Sequence, residues 1–172
     1  GLDGLVLFFE LSNEGTDLYR VSEAGGTELL THVSDHIARD WRLSPDGFTL
    51  SYLAPEVQSE RVVHRIHLFS LKGTEAPAAL DMSRVIVGEQ FSPVWTPDGK
   101  GITFGLEPGF HAGVQPHTVV LDGADSSPAL AAPKQGFDVP LSWSGDGRYL
   151  AARNFDGRDA YAPGRESLVV IA

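Results

Sequence analysis

Apolar and polar residues alternate along this chain with a period of about two, and helical periodicity with caps is absent throughout. Four short runs with this strand pattern each follow an Asp-Gly pair: Leu5-Val6-Leu7-Phe8-Phe9, Phe48-Thr49-Leu50-Ser51-Tyr52, Gly101-Ile102-Thr103-Phe104 and Tyr149-Leu150-Ala151-Ala152. Aligned on the Asp, residues Leu7, Leu50, Ile102 and Leu150 coincide, as do Phe9, Tyr52 and Phe104. Residues two apart share one face of a strand, so each run predicts one buried face. Upstream of three of the pairs another run ends in Leu43, Trp95 and Trp143. Asp-Gly between two such runs predicts a hairpin, because glycine accepts the positive φ that a tight turn needs.

A third strand type follows each hairpin, at Asp17–Val21, Arg65–Phe69, His117–Leu121 and Ser167–Ile171, with short fourth strands predicted at Thr27–Leu30, Ala78–Leu80 and Ala129–Ala131. The Asp residues of the four pairs, Asp3, Asp46, Asp98 and Asp146, lie 43, 52 and 48 residues apart. Short strands repeating at this period are the pattern of β-propeller blades, each a four-stranded antiparallel sheet. With strands a to d running from inner to outer, the chain reads bcd, abcd, abcd, abc. The predicted fold is thus all-β, a partial propeller forming one domain over 1–172. Its blades are bounded at 1–35 (incomplete), 36–88, 89–135 and 136–172 (incomplete). About three and a half blades are fewer than a closed ring of four or more. The chain is expected to be a segment of a longer propeller, or to associate with copies of itself through open blade edges.

Three stretches carry a family resemblance. Asp17-Leu-Tyr-Arg-Val-Ser-Glu-Ala-Gly-Gly-Thr-Glu-Leu-Leu-Thr31 resembles the c strand, glycine-rich turn and d strand of TolB-like propeller repeats. Pro93-Val-Trp-Thr-Pro-Asp-Gly-Lys-Gly-Ile-Thr-Phe104 and Leu141-Ser-Trp-Ser-Gly-Asp-Gly-Arg-Tyr-Leu150 resemble the a–b hairpin of those repeats. Gly145 replaces the usual Pro in the last copy, and Leu43 replaces the usual aromatic in an earlier one. The resemblance implies a propeller but several functions. Such repeats build a protein-binding scaffold of the cell envelope, propeller domains of prolyl-oligopeptidase-like serine peptidases, and carbohydrate-active lyases. A fold does not transfer a function.

Composition narrows these options. The 172 residues carry 13 basic and 23 acidic side chains, a formal charge of −10. That balance disfavours nucleic acid or an anionic membrane surface as partner, since both call for a basic face. The absence of cysteine removes disulfides, cysteine catalysis and thiolate metal sites, and suits periplasm and cytoplasm alike. No apolar run approaches the length of a membrane span, and the N-terminus lacks signal-peptide character, so a soluble chain is expected.

Candidate chemistry is sparse. Asp3, Asp46, Asp98 and Asp146 read as turn residues whose carboxylates accept nearby backbone N–H groups. Trp95 and Trp143 read as large side chains packed between blades. His64 and His67 lie three apart on a predicted strand and face opposite ways, while His32 and His36 flank a loop. Asp122, Asp125, Asp156 and Asp159 lack the spacing and closing Glu of a calcium loop. There is no Gly-x-Ser-x-Gly elbow, and Gly25-Gly26 has no following helix to make a phosphate loop. No cofactor, metal or catalytic group is expected, and the chain reads as a non-enzymatic binding module for a protein or small ligand. Long b–c loops are predicted at Pro55–Val62, Glu107–Pro116 and Asp156–Glu166, and a long d–a connection at Asp81–Gln90. Long loops on a rigid scaffold are where recognition concentrates. Phe110, His111, Arg158, Asp159, Tyr161 and Arg165 are therefore the candidate binding residues. The alternative is a substrate-gating propeller segment whose hydrolase domain lies outside these residues.

Overall fold

The computed structural model describes residues 6–34, 38–58, 61–72, 78–79, 89–107, 113–121, 126–128, 137–156 and 165–172. Among them are fourteen strands and no helix. They form four antiparallel sheets, taken here in chain order. Sheet 1 is β1 (Val6–Ser12), β2 (Gly15–Val21) and β3 (Thr27–Ser34). Sheet 2 is β4 (Arg39–Leu43), β5 (Thr49–Gln58), β6 (Arg61–Ser70) and β7 (Ala78–Ala79). Sheet 3 is β8 (Glu89–Trp95), β9 (Gly101–Glu107), β10 (Gln115–Val120) and β11 (Ser126–Pro128). Sheet 4 is β12 (Phe137–Trp143), β13 (Leu150–Asp156) and β14 (Arg165–Ile171). Every sheet is a meander, which is the bcd, abcd, abcd, abc order of propeller blades. The short strand expected over 129–131 lies outside the described residues, and β11 precedes it.

The chain divides into two compact units, 1–80 and 81–172. In the first unit sheets 1 and 2 pack face to face. Leu50, Tyr52, Ala54 and Phe69 of sheet 2 bury against Leu18 of sheet 1, with Leu7, Leu30, Val33 and Trp41 around them. An aromatic file runs through this core: Phe9 stacks on Trp41 at 4.7 Å, Trp41 on Tyr52 at 4.1 Å, and Tyr52 on His67 at 5.4 Å. Burial of the Tyr52 phenol pushes its pKa up to about 12. The buried Thr16 of β2 accepts the Ala38 N–H at 3.0 Å, tying the start of sheet 2 to sheet 1.

This packing overturns one alignment. Leu50 and Tyr52 face the preceding sheet, whereas Leu7 and Phe9 face the following one. The residue of sheet 1 that occupies the place of Tyr52 is Phe8. It pairs with and stacks on Tyr19 at 5.0 Å, as Tyr52 pairs with and stacks on His67. The first run is one residue out of frame with the other three, and a shift of one exchanges the two faces of a strand.

A second correction concerns Pro55–Val62. Its described residues are strand, not a long loop: β5 and β6 run on, with Pro55 paired to His64 and Gln58 to Arg61. Past Leu53 strand β5 has outrun its β4 partner, so Pro55 lies on an edge, where a missing N–H costs no ladder bond.

In the second unit, sheets 3 and 4 pack in the same sense. Leu150, Ala152 and Ile171 bury against Val94, while Val114 packs on Phe137 and Val139. A bridge joins Val114 to Phe137, and Asp138 N–H donates to the Val114 carbonyl at 2.9 Å. Gly105 keeps the sheets close, since a Cβ there would meet Val114 Cγ1 at 2.6 Å. Each a strand carries an irregularity at one repeat position: Asp40 in β4 (φ 55°), Ser92 in β8 (φ 43°), and the Pro140–Ser142 shift in β12. A bulge here adds one residue and bends the innermost strand.

Candidate functional site

The a–b turns are built from three side-chain roles. In the turn at 44–48, the Thr49 N–H donates to Ser44 Oγ at 2.9 Å, and Ser44 Oγ donates to Asp46 Oδ1 at 2.5 Å. Asp46 Oδ1 also accepts the Phe48 N–H at 3.1 Å, and Gly47 closes the turn at φ 77°. Thr96, Asp98 and Gly99 repeat this arrangement: Thr96 Oγ1 donates to Asp98 Oδ1 at 2.6 Å, and the Lys100 N–H donates to the same oxygen at 3.0 Å. Ser144, Asp146 and Gly147 repeat it again at 2.6 Å and 3.1 Å, and Gly145 in place of proline leaves it intact. In all three, the hydroxyl donor first and the backbone N–H second hold the carboxyl below its ordinary pKa of 3.8. These carboxylates are ionised and solvent-facing. Asp3 lies outside the described residues.

Two of these turns enclose a groove of about 560 Å³ within the second unit. Thr96, Pro97, Asp98 and Lys100 form one wall, Gly145, Asp146 and Gly147 the other, and Thr118, Val120 and Trp143 the floor. The floor is rigid. Trp143 Nε1 donates to Thr103 Oγ1 at 2.9 Å, and Thr103 in turn lies 2.8 Å from Thr118 Oγ1. The groove therefore offers an immobilised indole and two ionised carboxylates, balanced by a single ammonium group. Its carboxylates sit on solvent-exposed turns, without the burial that tunes a catalytic acid. Such a surface suits recognition of a cationic or amide-bearing group over an apolar floor.

The expected binding residues fall elsewhere. Phe110, His111, Arg158, Asp159 and Tyr161 lie outside the described residues, and of Arg165 only its strand position, paired with Asp156, is described. His36, Asp122 and Asp125 are likewise outside them. His32 sits in β3, with Nδ1 2.5 Å from Asp17 Oδ1. His64 and His67 project from β6 on opposite faces, and among the described residues no three potential ligands converge on a metal site.

A second polar group lies in the first unit. His67 Nε2 is 3.5 Å from Glu56 Oε1, and Arg65 Nε is 3.8 Å from Glu56 Oε2. The His67 contact lacks hydrogen-bond alignment, and Nε2 is buried with no hydrogen-bond partner among the described residues. Burial outweighs the attraction of Glu56 and holds the His67 pKa below 6.5. Burial does the same to His117.

Sequence reasoning placed the turn carboxylates but missed the groove between them. The signal was there: a hydroxyl residue two positions before Asp46, Asp98 and Asp146, and a Trp one position before that hydroxyl in the last two copies.

No protein-family model matches the chain, and no curated protein matches its sequence. Solved structures do. The fold is similar to that of a protein described as TolB from Agrobacterium tumefaciens, at 20% identity and a TM-score of 0.67, over 96% of this chain and 57% of that one. It is similar to TolB from Acinetobacter baumannii at 16% identity and 0.69, over 98% of this chain and 40% of that one. A tricorn protease matches at 16% identity and 0.63, over 96% of this chain and 16% of that one. The chain spans 57% and 40% of the two TolB proteins. At these identities the likeness is one of fold: the strands of this chain form β-propeller blades like those of the TolB structures.

Proposed function

We propose that this propeller segment is a non-enzymatic binding module whose groove between the turns at 96–100 and 144–148 receives a cationic peptide side chain. One observation carries the reading: two ionised carboxylates flank an indole that hydrogen bonding to Thr103 holds in place. An Arg or Lys side chain entering there meets opposite charge on both walls and stacks its stem or guanidinium on Trp143. The long loops bearing Phe110, His111, Arg158, Asp159, Tyr161 and Arg165 follow the far ends of β9 and β13 from these turns, and they form a separate candidate surface for the same class of partner. The test is a selection from a random peptide library, followed by calorimetry on the enriched peptides. Arg- or Lys-containing peptides that lose binding with Asp98→Asn and Asp146→Asn support the groove. Enriched peptides without a cationic residue, unaffected by both substitutions, overturn it.

A second reading is favoured by the tricorn protease likeness: a propeller that admits substrate to a hydrolase domain outside these residues. Peptide binding that requires a free chain terminus, rather than an internal cationic residue, would favour this reading over the first.

A further inference from the structure

The groove between sheets 3 and 4 is not symmetric in charge. Asp98 stands on one wall with Lys100, whereas Asp146 stands on the other between Gly145 and Gly147. Each Asp has a basic residue two positions on, Lys100 and Arg148, and of the two it is Lys100 that lines the groove. The Arg148 guanidinium instead lies 5.3 Å over the Tyr149 ring, with Nη2 donating to the Tyr149 hydroxyl at 3.4 Å. The electrostatics follow this geometry. The Asp98 carboxyl is lowered first by the Thr96 hydroxyl, then by the Lys100 N–H, and the Lys100 ammonium adds to both. The Asp146 carboxyl is lowered by the Ser144 hydroxyl and then the Arg148 N–H, and no side-chain cation among the described residues adds to them. Trp143 ends β12 and leads directly into the Asp146 turn, so the indole and the uncompensated carboxylate belong to one hairpin.

We propose, resting on the reading of the groove given above, that Lys100 sets its charge specificity: by compensating Asp98 it leaves a site for one cationic side chain, docked at Asp146. Two carboxylates and one ammonium leave the lining a single net negative charge, which one cation stacked on Trp143 neutralises. A peptide with closely spaced cations brings its second charge towards the Lys100 ammonium, and that like-charge approach is unfavourable. The partner is therefore a segment with an isolated Arg or Lys, and a polybasic run is selected against. Lys100 does this through its side chain alone. Its backbone N–H makes the turn bond to Asp98 Oδ1 at 3.0 Å, which any residue but proline at this position keeps.

The experiment titrates the whole chain with two blocked peptides, acetyl-Gly-Gly-Arg-Gly-Gly-amide and acetyl-Gly-Arg-Gly-Arg-Gly-amide. The NMR resonance of the Trp143 indole N–H reports binding at the groove floor. Lys100→Met is expected to tighten the single-Arg peptide about two- to fivefold, the range for an exposed charge pair, and the double-Arg peptide by more. Lys100→Arg is expected to bind both peptides as the wild type does. With Lys100 in place, Asp146→Asn is expected to weaken binding more than Asp98→Asn; with Met at 100 the two are expected to cost the same. Asparagine keeps an oxygen that accepts both turn bonds, and an unmoved indole resonance before peptide is added reports an intact floor. If both Asn variants weaken binding while Lys100→Met leaves it unchanged, this proposal falls and the cationic groove stands. Equal costs of the two Asn variants beside Lys100 overturn it in the same way. If neither Asn variant weakens binding, the groove reading falls and this proposal with it. Should an Asn variant lose the floor, the comparison of Lys100→Met with Lys100→Arg on the two peptides decides alone.

Discussion

Trp143 Nε1 donates to Thr103 Oγ1 at 2.9 Å, linking the last residue of β12 to the middle of β9 across the packing of sheets 3 and 4. Thr103 is fully buried and shares its hydroxyl with Thr118 at 2.8 Å, so one hydroxyl serves two partners. Removing the indole N–H by Trp143→Phe is expected to cost about 1 kcal/mol, because Thr103 keeps Thr118. Thr103→Val is expected to cost more, about 1–3 kcal/mol, since it strands the indole N–H and the Thr118 hydroxyl together. Urea midpoints of the two variants check the order; equal midpoints would remove Thr103 from its linking role.

Two glycines of the same unit separate two kinds of constraint. At Gly105 a methyl would meet Val114 Cγ1 at 2.6 Å and Phe91 Cβ at 3.4 Å, so Gly105→Ala overpacks the contact between sheets 3 and 4. The expected cost is about 1–3 kcal/mol. At Gly147 the nearest atom, Pro97 Cγ, is 3.9 Å away, and space is ample. Its φ of 70° is the constraint, and Gly147→Ala is expected to cost about 1–2 kcal/mol from the backbone alone. Gly147→Asn, which tolerates this region better, should recover part of that loss, whereas no small polar residue should rescue Gly105. Thermal melts of the three variants decide the matter.

These positions also show what the sequence could reveal. The three turns at Asp46, Asp98 and Asp146 were legible because Ser/Thr-x-Asp-Gly specifies them with local bonds only. The copy at Asp3 misled: its spacing matched, yet strand β1 is set by pairing Phe8 with Tyr19, a contact between strands that no local motif encodes. Pro55 misled in another way, because a proline reads as a break until the neighbouring strand is known to have ended. The groove was illegible for the same reason: its walls lie 48 residues apart in the chain and meet only when two sheets pack.

The turn carboxylates give the molecule an acid limb. Each folded pKa lies below 3.8, so the stabilisation is complete above that value and is lost as pH falls through the folded value. Asp98→Asn keeps the turn's shape but removes the ionised acceptor. It is expected to lower the melting temperature at neutral pH and to lessen its fall in acid. A wild-type and variant difference that stays constant from neutral to strongly acidic pH would show that ionisation plays no part.

His67 shapes the pH range above this. Its folded pKa is depressed by burial, with Glu56 only partly opposing, so the neutral ring is the form that packs against Tyr52. Full stability is then present above about pH 6.5, the unfolded value, and declines as pH falls through the folded value, where protons bind the unfolded chain first. His117, depressed by burial in the other unit, adds a decline of the same sign. His67→Gln keeps a polar group of similar size that does not titrate, and is expected to flatten the slope of stability between pH 7 and 5 without abolishing it. Adding His117→Gln is expected to flatten it further. If the single variant leaves the slope unchanged while the double variant removes it, the pH response belongs to His117 and the Tyr52 stack tolerates a charged ring.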